Sequence, residues 1–260
     1  TPTPENLEDL LTWLDQRLSE QDYKGIAMSV PGAANQETGV SEGISAVPYI
    51  HGFSWYEALA HHQLPVHLEN DANCVGLSEL LAHPEIENAA CVVIGTGIGG
   101  AMIINGKLHR GRHGLGGEFG YMTTIEPAEK LNNWSLLAST GNMVRYVIEK
   151  SGQTDWDGRK VYQEAAAGNA LCQEAIERMN RNLAQGLLNI QYLIDPDVIS
   201  LGGSISQNPD FIKGVQKAVD VFVERYEEYT IAPVIQACTY QADANLYGAL
   251  VNWLQEENQW

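Results

Sequence analysis

Leu7, Leu10, Leu11, Leu14 and Leu18 recur at helical spacing. They predict an amphipathic helix, with Thr3 as its cap and Pro4 in its first position. Residues 25–30 form an apolar run that reads as a buried strand, ended by the turn pair Pro31-Gly32. The stretch 33–53 is rich in Gly, Ser, Asn and Pro and reads as irregular. Ser54-Trp55-Tyr56-Glu57 has the spacing of a capping box and opens a short helix to about Gln63. A short strand over 66–69 leads into a helix over 72–82. Strands over 91–94 and 101–104 flank a glycine-rich loop, and Asn105-Gly106 turns the second of them. Helical patterns follow over about 135–150, 158–167, 169–194, 209–229 and 244–255, with strands over 198–201 and 234–237. Strands alternating with helices, plus one antiparallel hairpin, predict an α/β chain with mixed sheets.

Four segments carry candidate chemistry. Glu69-Asn70-Asp71-Ala72-Asn73 lies at a strand-to-helix junction, the end of the strand where α/β proteins place ligands. Asn70 or Asp71 as a helix cap explains one polar residue there, but less readily a run of them. Asp71 is the candidate general base toward a hydroxyl. Gly95-Thr96-Gly97-Ile98-Gly99-Gly100 lets backbone N–H groups approach an anion. A strand follows it instead of a helix, which disfavours a dinucleotide fold, and a plain tight hairpin accounts for it equally well. Residues 111–120 set Glu118 among glycines. The neighbouring Lys107, His109, Arg110, Arg112 and His113 read as a solvated loop, with phosphate steering as the lesser reading. Leu201-Gly202-Gly203-Ser204 follows a strand, either as another close backbone approach or as a simple turn.

Composition narrows the partners. A net charge of −18 over 260 residues makes duplex nucleic acid and anionic membrane surfaces poor partners for this segment. No run of 18 apolar residues predicts a membrane span. Cys74, Cys91, Cys172 and Cys238 are widely spaced and read as reduced, mostly buried thiols of a cytoplasmic protein, not as a zinc site. His61 and His62 are adjacent, so on a helix they would point in different directions.

Taken in order, residues 68–73, 94–100, 114–120 and 199–203 strongly resemble the ROK family of repressors and sugar kinases, from Val30-Pro31-Gly32 to residues 242–249. The resemblance implies the actin-like, ribonuclease-H-like ATPase fold, two α/β domains around a cleft. Residues 1–86 with 244–260 would form the smaller first domain, and 87–243 the larger one. It implies Asp71 as catalytic base on a sugar hydroxyl, Asn70 and Glu118 as sugar ligands, and Gly32 in the sugar pocket. Gly95, Thr96, Gly97 and Gly99 would face the phosphates of ATP, and Gly202 and Gly203 the adenosine. Mg²⁺ would accompany the nucleotide, and a homodimer is the family-like assembly.

The sequence departs from the family pattern twice. The family's opening phosphate-binding hairpin, of DxGGTK type, does not precede Thr1, so the first domain is expected to be truncated at its N-terminus. The family's zinc motif is also missing: Tyr121 replaces its His, residues 130–139 hold no cysteine, and Ser135 stands near the position of its sugar-binding Glu. No structural zinc is therefore expected. Tyr121 and Trp134 either present an apolar face to a sugar or fill the vacated space. The leading reading is an ATP-dependent kinase for a hexose or small glycoside. A ROK-type sugar-sensing regulator and a non-catalytic sugar-binding protein are the rivals.

Overall fold

The computed structural model describes residues 2–43, 45, 47–124 and 132–260; Lys130 and Leu131 of the cysteine-free stretch lie outside them. The described helices are α1 (Leu7–Leu18), α2 (Trp55–Leu59), α3 (Asp71–Ala82), α4 (Trp134–Ala138), α5 (Thr140–Ser151), α6 (Gly158–Ala166), α7 (Ala170–Ile194), α8 (Pro209–Arg225) and α9 (Ala244–Glu256). The strands are β1 (Ile26–Val30), β2 (Ala33–Asn35), β3 (Val40–Glu42), β4 (Val66–Asn70), β5 (Ala89–Ile94), β6 (Ile98–Ile104), β7 (Lys107–Leu108), β8 (Thr123–Thr124), β9 (Asn132–Asn133), β10 (Val198–Gly202) and β11 (Ile235–Ala237).

A five-stranded sheet runs in the order β11-β10-β5-β6-β7. Its first three strands are parallel and the last two are antiparallel additions, so the sheet is mixed, as the hairpin at Asn105-Gly106 predicts. Asn105 and Gly106 both take positive φ, the geometry of a tight hairpin turn. One face of the sheet is buried under α4 to α8, around Met179, Leu183, Leu187 and Phe211. The other face is covered by α3 and α9, through Leu77, Leu80 and Val251. Buried Glu79 pins α3 to that face, accepting from the Ser200 hydroxyl (2.9 Å) and the Thr239 amide (2.7 Å).

A second, smaller unit pairs β1 with β4 in parallel, from Ile26 opposite Val66 to Val30 opposite Asn70. The leucine stripe of α1 and the aromatic residues of α2 pack against it. Helix α9 also touches this unit: its Trp253 lies over Gly25, where any Cβ would collide with the indole. It approaches α3 so closely that Gly248 leaves no room for a Cβ beside the Cys74 carbonyl. Helices α3 and α9 thus stand between the two sheets and tie them together.

The structure corrects several details. Helix α1 begins at Leu7 and is capped by Asn6, whose Oδ1 accepts from the Asp9 amide at 2.9 Å; Thr3 lies outside it. Within 33–53, β2 and β3 form an antiparallel hairpin whose turn is closed by Asn35 Oδ1, accepting from Glu37 and Thr38. Such a hairpin escapes periodicity because each strand has three residues. The glycine loop ends at Gly97, and Gly99 and Gly100 belong to β6. The pattern over 135–150 is interrupted at Ser139, which caps α5. Helix α8 ends at Arg225, short of Tyr229. His61 and His62 do not diverge: a 3₁₀ turn over Ala60–His62 brings both rings to Asp15. All four cysteines are buried and free. Among the described residues, no helix is long and apolar enough to cross a membrane.

Candidate active site

A cavity of about 880 Å³ lies where the carboxyl ends of β4 and β5 meet the 113–121 loop. Its position follows the rule that open α/β sheets bind ligands at the carboxyl ends of their strands.

At its base, β4 passes directly into α3. Asn70 caps the helix, its Oδ1 accepting from the Asn73 amide at 3.0 Å. Its Nδ2 donates to the Gly32 carbonyl (3.0 Å) and to Asp71 Oδ1 (3.1 Å). Asn70 is therefore both a cap and the strut between Gly32 and Asp71. Asp71 Oδ1 also accepts from the Ala72 amide at 2.8 Å. Burial raises the Asp71 carboxyl above its ordinary value, opposed by these hydrogen bonds. Glu118 faces the same cavity; burial raises its carboxyl too, and the charge of Asp71 adds to the effect. Two carboxylates of raised proton affinity thus share one cavity, a pattern typical of reaction centres.

Glu69 turns away from the cavity and is 1% exposed. Its Oε1 accepts from the Asn70 amide (2.8 Å) and Asn73 Nδ2 (2.9 Å), and its Oε2 pairs with Arg110 Nε at 2.6 Å. Arg110 Nη2 donates to Asn252 Oδ1 of α9 at 2.8 Å. The expectation of a solvated basic loop fails at Arg110, which anchors the loop to both β4 and α9. It holds for Lys107, His109 and Arg112, which are exposed, while His113 reaches the cavity wall.

The loop over 95–97 is closed by the Gly95 amide donating to the Gly97 carbonyl at 2.9 Å. A Cβ on Gly95 would meet open space, so this backbone is free to receive a ligand. Gly95, Gly97 and Gly99 line the cavity, whereas Thr96 is exposed outside it. Gly202 and Gly203 are not among the lining residues. Gly202 is buried against Cys238 and Val93, and Gly203, at φ +89°, passes so close to the Ile94 carbonyl that no side chain fits. The need for two strand ends to approach accounts for both glycines.

The departures at 121–139 part company in the structure. Trp134 is buried under α7, its Nε1 donating to the Asn182 carbonyl at 2.8 Å and its ring filling the space over Gly186. It does not face the cavity, so of its two readings the packing one holds. Tyr121 lines the cavity and is 71% exposed. Ser135 also lines it, but its hydroxyl is bound to β6, accepting from the Ile98 amide at 2.9 Å. Glu42 of β3 and Asn245 of α9 join the wall. Sequence reasoning missed both: the first sits in the unrecognised hairpin. The second carried one available signal, a polar residue opening the closing helix.

The chain matches the model of the ROK family over residues 1–256. It is 89% identical to a ROK family protein from Streptococcus pneumoniae TIGR4 whose structure was solved in complex with sucrose. The match has a TM-score of 0.97 and covers 100% of this chain and 90% of that one. The ROK hexokinase of Thermus thermophilus is 26% identical, with a TM-score of 0.84, over 99% of this chain and 90% of that one. A β-glucoside kinase of Listeria monocytogenes serovar 1/2a is 35% identical over 246 residues, 92% of this chain and 82% of that relative.

Proposed function

The chain belongs to the ROK family, and from that premise we propose how it works as an ATP-dependent sugar kinase on β-glucosides and other disaccharide-sized sugars. The observation that carries the reading is the pair Asp71 and Glu118 in one cavity beside an open glycine backbone.

Asp71 accepts the proton of the acceptor hydroxyl as the sugar oxygen bonds to the γ-phosphorus and the bond to ADP breaks. Asn70 holds Asp71 in place through its Nδ2 and sets the distance to Gly32. Glu118 accepts hydrogen bonds from sugar hydroxyls. The backbone of Gly95, Gly97 and Gly99 faces the phosphates. The carboxylate oxygens of this cavity suit a hard cation, and Mg²⁺ bound with the nucleotide would offset phosphate charge. The two sheet units act as the two lobes of the cleft, divided at about residues 86 and 244, and their approach excludes water. Four buried thiols agree with a reducing, cytoplasmic setting. A homodimer completes the proposal and is checked by light scattering.

The substrate class rests on the mouth of the cavity. Its volume is at the large end for small-molecule sites. Leu115, Tyr121 and His113 all line the cavity and are exposed. An exposed aromatic ring suits the apolar face of a second sugar unit. Tyr121→Ala is expected to raise KM for cellobiose about tenfold, the loss of roughly 1.4 kcal/mol of contact, while KM for glucose changes little. Steady-state kinetics with both sugars check it. The class itself is tested by ADP release with Mg-ATP across hexoses, N-acetylhexosamines and disaccharides. Turnover of a disaccharide or β-glucoside supports the reading. Sugars that raise the melting temperature without turnover would favour the sensor or binding protein instead.

The pH profile follows from Asp71. A raised carboxyl takes up its proton at a higher pH than free Asp, so the base is lost as pH falls, and the acid limb of kcat/KM lies above 3.8. The Asn70 hydrogen bond lowers that carboxyl. Asn70→Ala is therefore expected to move the acid limb to higher pH, a change that loss of a helix cap alone would not produce. A limb that stays in place would remove Asn70 from that role.

A further inference from the structure

Away from the residues that line the cavity, three metal-binding side chains of the smaller unit converge. His61 Nε2 lies 3.0 Å and His62 Nε2 2.7 Å from the same oxygen, Asp15 Oδ1. One ligand atom from each residue falls within 4.8 Å of the other two. From this geometry we infer that Asp15, His61 and His62 form a site for a zinc-class divalent cation that clamps α1 to the turn before β4.

The backbone builds this convergence. Adjacent residues on an α-helix project about 100° apart. The chain leaves α-helical geometry after Leu59, makes a 3₁₀ turn over Ala60–His62, and leaves it through Gln63 at φ +56°. The two imidazoles consequently lie side by side, with ring centroids 4.1 Å apart. Asp15 is presented by α1, which the neighbouring Leu14 and Leu18 hold against the same core as Leu59 and Val66. All three ligands are thus carried on packed elements and not on loose loops.

One carboxylate oxygen can accept both hydrogen bonds; what points to a cation is the convergence of two imidazoles and a carboxylate on one spot. Both rings aim at Oδ1, while Oδ2 receives no hydrogen bond from the described residues. Two imidazolium cations so close would repel each other, whereas two neutral rings bound to one ion would not. Ligand atoms 2.7–3.0 Å apart stand at hydrogen-bond distance, and opening them by a few tenths of an ångström reaches the roughly 3.3 Å separation of tetrahedral ligands bound at about 2.0–2.1 Å. The Asp15 carboxyl is held below its ordinary value by the His62 hydrogen bond, which keeps it anionic. His61 and Asp15 are half exposed, leaving water to complete the coordination. Two imidazoles and one carboxylate select zinc or its neighbours in the first transition row, and disfavour Mg²⁺, which prefers oxygen.

The test uses the full chain stripped of metal with chelator. Zinc is titrated at neutral pH against a chromogenic competitor, and melting is followed with Zn²⁺ or Mg²⁺ in excess. One equivalent of Zn²⁺ and a melting temperature raised by about 5 °C are expected, with no effect of Mg²⁺. His61→Gln and Asp15→Asn are expected to melt as the stripped wild type does and to bind Zn²⁺ at least about tenfold more weakly. Should one variant fold poorly, the other carries the test. No bound equivalent in the wild type overturns the site, as does binding that persists unchanged in either folded variant.

Discussion

Asp71→Asn is expected to leave the chain folded and sugar-binding but to lower kcat by at least about 100-fold. The amide keeps the size of the carboxylate, and its oxygen can still accept from the Ala72 amide and from Asn70 Nδ2. The variant loses only the capacity to take the hydroxyl proton. Binding energy and the positioning of the phosphates remain, which is why turnover falls without vanishing. Calorimetric titration with sugar and an ADP-release assay separate the two effects. Near-normal turnover would take Asp71 out of the reaction. Lost binding with lost turnover would make it a ligand of the sugar instead of its base.

The second large effect is on stability. Arg110→Met is expected to cost about 2 kcal/mol, below the range for a fully buried ion pair because Glu69 is buried but the Arg110 side chain is 31% exposed. Glu69 is enclosed, and its Oε2 has Arg110 at 2.6 Å with a long second contact from Gln36 Nε2 at 3.4 Å; the Asn70 amide and Asn73 Nδ2 both serve Oε1. Methionine retains the apolar stem and removes the charge and the fork to Asn252. Urea unfolding measures the loss. Adding Glu69→Gln should recover part of it, because an uncharged amide is cheaper to leave buried, so the double variant is expected to be more stable than Arg110→Met alone. Equal stability of the wild type and Arg110→Met would mean that water already satisfies Glu69. The same network orients the β4–α3 junction, so turnover in Arg110→Met should fall as well.

Much of this molecule was legible in its residues. The leucines of α1, the alternation of β4, the apolar runs of β5 and β10, and the long stripe of α7 have the patterns of their elements, and local patterning survives folding when one face is buried. The run Glu69-Asn70-Asp71 stood out because three consecutive polar residues at a strand end exceed what a cap requires. The glycines of 95–100 announced close backbone approach, but not their division between a loop ending at Gly97 and a strand beginning at Ile98. Gly202 and Gly203 fit a close approach to a nucleotide, and Ile94 and Cys238 supply a packing reason for them as well. A glycine in a sequence reports that something approaches closely, not whether that something is a ligand or the protein itself.

What the sequence determined by itself is therefore the order of the longer elements, the family, and the residue types available for phosphoryl transfer. These depend on chemistry that is local along the chain. Tertiary structure alone decided which polar groups face the cavity and which are spent inside the protein. Arg110 was one of several charges in a basic loop until folding set it against Glu69, 41 positions earlier. Trp134 and Tyr121 were equivalent aromatics until α7 enclosed one and the cavity mouth exposed the other. His61 and His62 diverge on paper and meet at Asp15 in space. Burial and distance across the fold set the proton affinity and partners of a side chain, and neither is a property of its neighbours in sequence.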